Sequence, residues 1–389
     1  MTAADPVVPD PTAFDPTAFD FAALRRFPDV EASNLFAVDA SDRLILDEAA
    51  ASLPAERLVV VDDRYGALTL GAAALFGATG IRVHQDALSG EAALARNAHE
   101  FGLTDRYRSF PLGHELLTGA TLVLLQLPRS LAALDEIAEA IARYADPAVV
   151  VVAGGRLKHM TPAMNEVLAR HFERLQVSPA RQKSRVLHAS GPLRATESAS
   201  QAWPHVSRHD DLGLTVCAHG AAFAGTTIDI GTRYLLEFLD RMKPDAVRAI
   251  DLGCGTGVLA AALALRRTGL TMIASDQSAA AVASAGATMI ANGVADRVTV
   301  VRDDALGSQA DASSELILLN PPFHIGSSVH AGIALKLFAD AARVLRPGGE
   351  LWTVWNTHLG YRPALTRLVG PTHQVGRNAK FTVTVSVRR

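Results

Sequence analysis

Short apolar runs alternate with longer Ala-rich stretches along most of this chain. Leu58-Val59-Val60-Val61, Leu122-Val123-Leu124-Leu125, Ala249-Ile250-Asp251, Val298-Thr299-Val300-Val301 and Leu316-Ile317-Leu318-Leu319, with residues 271–275, read as strands. The alternation predicts two β-α-β-α series, at residues 21–189 and 211–389, each an open, mostly parallel sheet. Residues 190–210 are rich in Ser, Ala, Pro and Thr and read as a linker. Residues 1–20 repeat Asp-Pro-Thr-Ala-Phe, carry four Asp and no Lys or Arg, and read as a disordered acidic tail.

The two series resemble each other in order and at a nearly constant offset. Leu58–Val61 leads into Asp62-Asp63-Arg64-Tyr65-Gly66, where the second series has Ala249-Ile250-Asp251 and then Leu252-Gly253-Cys254-Gly255-Thr256-Gly257. Val83-His84-Gln85-Asp86 lies opposite Ala274-Ser275-Asp276. Gln126-Leu127-Pro128-Arg129 lies opposite Asn320-Pro321-Pro322-Phe323. We read a duplication whose first copy keeps the fold and has lost the site, since it retains only Gly66 of the loop glycines and has no Asn-Pro-Pro-Phe.

The candidate chemistry sits in the second copy. Gly253, Gly255 and Gly257 allow positive φ and close backbone approach to a ligand, with a helix N-terminus behind them. A dinucleotide fingerprint would place a third glycine where Val258 stands. An acidic residue two positions before the first glycine instead suits S-adenosylmethionine, which has no pyrophosphate and carries a sulfonium and an ammonium. Asp251 would complement that charge, Asp276 would accept from the ribose hydroxyls, and the Asp303-Asp304-Ala305 turn would meet the adenine amino group. Asn320-Pro321-Pro322-Phe323 ends a strand with a donor–acceptor amide, prolines that lack N–H groups, and a flat ring. That set suits a planar amino group, held by oxygens on its hydrogens and by the ring on its face.

Composition narrows the partners. The 389 residues are 49% hydrophobic and 20% charged, which fits a globular protein with room for two domains. A net charge of −3 excludes general basicity, so any nucleic-acid contact needs a local patch. The two cysteines, Cys217 and Cys254, form no metal-ligand cluster and suit a reducing, cytoplasmic setting. No signal peptide and no membrane-spanning run is evident. The expectation is a monomer with no metal and no membrane contact.

With both motifs placed, the second half resembles class I S-adenosylmethionine-dependent methyltransferases, and its Asn-Pro-Pro-Phe resembles those acting on exocyclic or amide nitrogens. The Phe223–Thr232 segment, the glycine loop and Asn320-Pro321-Pro322-Phe323-His324 look like the bacterial ribosomal RNA guanine-N2 methyltransferases. The resemblance implies two tandem Rossmann-like folds, the N-terminal one degenerate and holding RNA. It also implies Phe223 and Thr232 as further cofactor-pocket residues. Asp63-Arg64-Tyr65-Gly66-Ala67-Leu68, Pro128–Leu134 and Asn378-Ala379-Lys380-Phe381 look more like the 23S than the 16S branch. The reaction implied is methylation of a guanine 2-amino group in 23S rRNA.

RNA contact is assigned to Arg156, Lys158, Arg181, Lys183 and Arg185, in the most basic stretch of the first half, and to Arg377 and Lys380 in the second. The other readings are the same reaction on 16S rRNA, methylation of DNA bases or a protein glutamine, and a non-catalytic RNA-binding assembly factor.

Overall fold

The computed structural model describes residues 19–194, 202–322 and 327–389, with the backbone alone at 327–331. The tail expected at 1–20 lies outside the described residues apart from Phe19 and Asp20. Phe19 packs against Phe21 and Phe101, each at 4.8 Å between ring centroids.

The first sheet holds seven strands: β1 (Leu58–Val61), β2 (Ile81–His84), β3 (Tyr107–Ser109), β4 (Leu122–Gln126), β5 (Val150–Arg156), β6 (Phe172–Val177) and β7 (Ser184–Pro192). A two-stranded hairpin follows, β8 (His205–His209) with β9 (Leu214–Ala218). The second sheet holds β10 (Arg248–Leu252), β11 (Thr271–Asp276), β12 (Val298–Arg302), β13 (Ser314–Leu319), β14 (Leu345–Asn356), β15 (Thr372–Arg377) and β16 (Phe381–Val387). The strand orders are β3-β2-β1-β4-β5-β7-β6 and β12-β11-β10-β13-β14-β16-β15, the same order twice. In each sheet only the penultimate strand in that order runs antiparallel to its neighbours. The 190–210 stretch is not a bare linker: it contains the end of β7 and all of β8.

Period-two alternation sends successive residues of the inner strands to opposite faces. Ile250, Leu252, Ile317 and Leu319 pack into one buried cluster, and Ala249, Leu316 and Leu318 into the other. Full burial of each Leu side chain is worth about 1.5–3 kcal/mol. Asp251 is therefore a carboxylate on a core face, pointing the same way as Ala249, toward the helix Val258–Arg266.

The strand register makes the two halves comparable residue by residue. Val61 pairs with His84 and Leu125, as Leu252 pairs with Ser275 and Leu319. By that register Val60 stands where Asp251 stands, Gln85 where Asp276 stands, and Gln126 where Asn320 stands. Gly66 and Gly257 occupy the same helix-entry position, with φ of 101° and 78°.

The halves meet about a local pseudo-twofold. Leu88 N donates to Gln277 O at 3.0 Å, and Ala279 N donates to Asp86 O at 2.8 Å. Arg302 of β12 reaches across to Glu91 at 2.7 Å and donates to the carbonyls of Gln85 and Asp86. A second junction is formed by Glu136, which accepts from Gly220 N at 2.6 Å and sits 2.5 Å from His219 Nδ1.

Candidate active site

The carboxyl ends of β10, β11, β12 and β13 open on a cavity of about 450 Å³. It lies outside the strand ends at the switch between β10 and β13, where open α/β sheets take ligands. Gly253 and Gly255 line it with φ of 70° and 53°, and a Cβ added at either would meet nothing within 4 Å. The loop backbone is thus laid open toward the cavity. Gly257 is different. It is the left-handed entry to the helix Val258–Arg266, and a Cβ there would lie 2.6 Å from Met289 Cε.

Asp276 ends β11 and lines the cavity. Its Oδ2 accepts from Gly255 N and its Oδ1 from Ser278 N, both at 3.0 Å. Burial pushes its carboxyl above the usual range, partly offset by those N–H donors. Asp251 lies behind the loop, 1% exposed, with Oδ2 accepting from Ala260 N at 3.0 Å. Its Oδ1 is buried and meets no partner among the described residues. Burial pushes this carboxyl up to about 7, against the Ala260 N–H and with help from the Asp276 charge.

The third acidic strand end splits into two roles. Asp303 folds back to accept from Ser308 N and Oγ. Asp304 lines the cavity but is ion-paired with Lys336. Ala305 takes a positive φ of 60°, and its carbonyl accepts from Ser275 Oγ. Thr232 and Phe223 also line the cavity, and Phe223 is 55% exposed.

Asn320 and the prolines Pro321 and Pro322 form part of the wall. Asn320 Nδ2 donates to Thr232 Oγ1 at 2.9 Å and to Asp229 Oδ2 at 3.2 Å. Because an ionised carboxylate only accepts, Asp229 dictates which end of the amide is nitrogen. Asn320 Oδ1 is left buried and without a partner among the described residues. Gly231 allows this close approach, since a Cβ on it would lie 2.9 Å from Asp229 Oδ2 and 3.2 Å from Phe381 Cε1. Phe323 and His324 lie outside the described residues.

Sequence reasoning missed several wall residues. Pro28, Asp29, Val30, Asp86, Ala87 and Ser89 all come from the first half, and Lys336 comes from the helix Ser327–Val344. No local pattern marks them. Asp229 stood in the sequence only within the Phe223–Thr232 segment, and nothing there marked it as a partner of Asn320. The lining is acidic overall, with Asp29, Asp86, Asp229, Asp276, Asp303 and Asp304 against Lys336. Two orphaned buried oxygens, an open glycine backbone and a surplus of carboxylates fit a cationic adenosyl ligand with a hydrogen-bond donor beside it.

The basic residues fall into two places. Arg156 and Lys158 line a second cavity of about 250 Å³ at the carboxyl end of β4 and β5, with Arg64, Arg129 and His159. Arg64 and Arg129 stood in the sequence only within the compared motifs and were not assigned to RNA contact. Lys183 and Arg185 flank the same strand end, where Leu157 N donates to Lys183 O. Arg181 is instead paired with Glu48 at 3.1 Å. Arg377 and Lys380 sit at the matching hairpin of the second sheet, where Thr357 N donates to Lys380 O. Among the described residues there is no His/Cys/Asp/Glu group able to hold a metal, and no helix long and apolar enough to cross a membrane.

Comparison with known proteins bears on both halves. The RLMG N-terminal domain model matches residues 14–192, and the Methyltransferase small domain model matches residues 213–385. The chain is 35% identical over 381 residues to Ribosomal RNA large subunit methyltransferase G of Streptomyces avermitilis, covering 94% of this chain and 97% of the relative. It is 35% identical over 364 residues to the protein of the same name from Pseudomonas aeruginosa, covering 92% and 96%. Among solved structures, the T. Thermophilus 16S rRNA N2 methyltransferase RsmC in complex with AdoMet and Guanosine superposes with a TM-score of 0.71. That match is 22% identical and covers 90% of this chain and 92% of the other, so it speaks to the fold.

Proposed function

Given that the chain belongs to the ribosomal RNA large subunit methyltransferase G family, we propose that it transfers a methyl group from S-adenosylmethionine to the exocyclic 2-amino group of a guanine in 23S rRNA. The observation that carries this reading is Asn320 Oδ1, a buried acceptor without a partner on the wall of an acidic cavity.

S-adenosylmethionine supplies a methyl group on a cationic sulfur when bound. Asp276 would accept from the ribose hydroxyls, and the amides around Gly253 and Gly255 would line the amino-acid end. Asp251 Oδ1 lies behind them, buried and without a partner among the described residues. Phe223, Thr232 and Ala305 would complete the pocket. Asp304 would meet the adenine amino group with its charge shared with Lys336.

The guanine 2-amino nitrogen is a poor nucleophile because its lone pair is delocalised into the ring. Asn320 Oδ1 and the Pro321 carbonyl would accept its two hydrogens and favour a pyramidal nitrogen. Pro322 stiffens the turn. Phe323 would stack on the base, a contact worth about 1–3 kcal/mol. The new N–C bond forms as the S–C bond breaks, and the nitrogen, acidified by methylation, then releases a proton to solvent. No strong base is required before attack, so catalysis is positioning and local electrostatics. A guanine in paired RNA must leave the stack to reach this wall.

In this reading residues 21–189 are a degenerate copy that holds RNA, and residues 211–389 are the catalytic copy of a monomeric cytoplasmic enzyme. Arg156, Lys158, Lys183, Arg185, Arg377 and Lys380 would meet phosphates, with Arg181 a weaker contributor because Glu48 neutralises it. The deciding experiment is labelled-methyl transfer to purified 23S and 16S rRNA, followed by mass mapping of guanines in rRNA from a strain lacking the protein. Label on 23S rRNA at one guanine supports the reading. Label on 16S rRNA alone, or on neither, overturns it.

A further inference from the structure

Asp86 belongs to the degenerate half, yet its side chain is spent on the catalytic half. Its Oδ1 accepts from Ser278 Oγ and from Ala280 N, both at 2.9 Å. Its own carbonyl accepts from Ala279 N at 2.8 Å. Ala279 begins the helix Ala279–Ala291, whose cap Ser278 accepts from Ala281 N. Three successive N–H groups at that helix start are therefore satisfied, two of them by Asp86. A helix start leaves four such donors unpaired, and a carboxylate there also meets the positive end of the helix dipole.

The segment so held carries the acceptor expected at the cofactor ribose. Asp276 Oδ1 accepts from Ser278 N, the same residue whose hydroxyl Asp86 holds. Arg302 closes the segment from the other side by donating to Gln277 O and to the carbonyls of Gln85 and Asp86.

The side-chain capping runs one way, although Arg302 reaches back to the first half. The backbone hydrogen bonds about the pseudo-twofold are reciprocal, but the helix caps are not. Gln277 occupies the position matching Asp86, and its buried Oε1 has no partner among the described residues. The helix Leu88–Glu100 of the first half has no side-chain cap at Ala87. A junction serving only to glue the halves together has no need of this asymmetry.

We infer that Asp86 is a positioning residue for the cofactor, through which the degenerate copy sets the Asp276 segment of the catalytic copy. This rests on the cofactor reading above. Asp86 also lines the cavity with its negative charge, on the side of a cationic ligand.

The test uses the full chain, with S-adenosylhomocysteine binding by calorimetry and steady-state kinetics on rRNA. Asp86→Ala is expected to raise the dissociation constant and the KM for S-adenosylmethionine about tenfold (about 1.4 kcal/mol). kcat at saturation and RNA affinity should stay near wild type. Asp86→Asn should restore most of the binding, because Asn caps helices about as well as Asp. In an Asp276→Ala background, Asp86→Ala should add little further weakening, since both act through one contact. Unchanged binding in Asp86→Ala, or an equal loss with and without Asp276, overturns the inference. Should Asp86→Ala not fold, Ser278→Ala takes its place, and unchanged binding there overturns it as well. A wild-type chain that binds no S-adenosylhomocysteine would sink the cofactor reading itself, a different result from wild-type binding with Asp86→Ala unaffected.

Discussion

Asn320 donates to Asp229 Oδ2, and that one contact decides which end of the amide is left without a partner. A carboxylate cannot donate while ionised, so the amide nitrogen is turned to Asp229 and the oxygen is left as the unpartnered acceptor. Asn320→Ala should lower kcat for methyl transfer by about 10²–10³ while leaving S-adenosylhomocysteine binding within about twofold, as for loss of one preorganised group. Calorimetry beside labelled-methyl transfer separates the two effects, and a variant with near-wild-type turnover would remove Asn320 from the mechanism.

Asp229 also caps the helix Ile230–Leu236 by accepting from Gly231 N and Thr232 N. Asp229→Ala should therefore cost about 1 kcal/mol of stability and in addition free the Asn320 amide to rotate. The expected signature is a modest fall in the denaturant midpoint with a disproportionate fall in kcat. A stability loss with turnover intact would show that Thr232 alone suffices to orient the amide.

The buried Asp251 carboxyl, raised to about 7 from 3.8, links pH to both stability and binding. Between those two values the folded chain keeps a proton that the unfolded chain has released. This group's contribution to stability therefore falls as pH rises through that window and levels off above it. A cationic ligand favours the ionised form, so S-adenosylmethionine affinity should rise roughly tenfold from about pH 6 to about pH 8. Asp276, raised in the same direction by burial, acts with the same sign. Titration calorimetry at the two pH values checks this, and Asp251→Asn should flatten the profile.

Arg64, Arg129, Arg156 and Lys158 share one cavity at the end of β4 and β5. Replacing Arg129 or Arg156 by Ala should weaken RNA binding and reduce the slope of log K against log salt by about 0.7–0.9 each. Arg181→Ala should change the slope less, because Glu48 already pairs with it. Filter binding over a salt series reads these slopes, and equal slopes for Arg156→Ala and wild type would place the RNA elsewhere.

Gly257 is held at φ 78° with Met289 Cε where a Cβ would go. Gly257→Ala should cost about 1–3 kcal/mol, the range for a non-glycine residue forced into that region. Chemical denaturation measures the cost. Gly253→Ala has the same backbone penalty but open space before it, so its larger effect should fall on cofactor binding.

The strands β1, β4 and β10–β13, the presence of two mostly parallel sheets and the glycine loop could be read from the chain because each leaves a local pattern. Apolar runs such as Leu316–Leu319 bury themselves wherever they lie, and Gly253, Gly255 and Gly257 announce a turn that other residues resist. Asn320 was legible for the same reason, as a polar residue followed by two prolines at the end of such a run. The repeat added a comparison within the chain at Gln126 and Asn320, and the strand register then set Val60 and Gln85 where Asp251 and Asp276 stand. Asp304 read as a free acceptor, but folding brought Lys336 to it from a helix far along the chain. Arg181 read as a phosphate contact, but Glu48 reached it first. Asp86 read only as part of a lost site, and the packing of one copy against the other turned its carboxylate to the start of the catalytic copy's helix. Periodicity and backbone preference are local, so the sequence alone settles elements, motifs and their order. Charge pairing and capping act between residues that only the fold makes neighbours, so the partners of Asp304, Arg181 and Asp86 were decided in three dimensions.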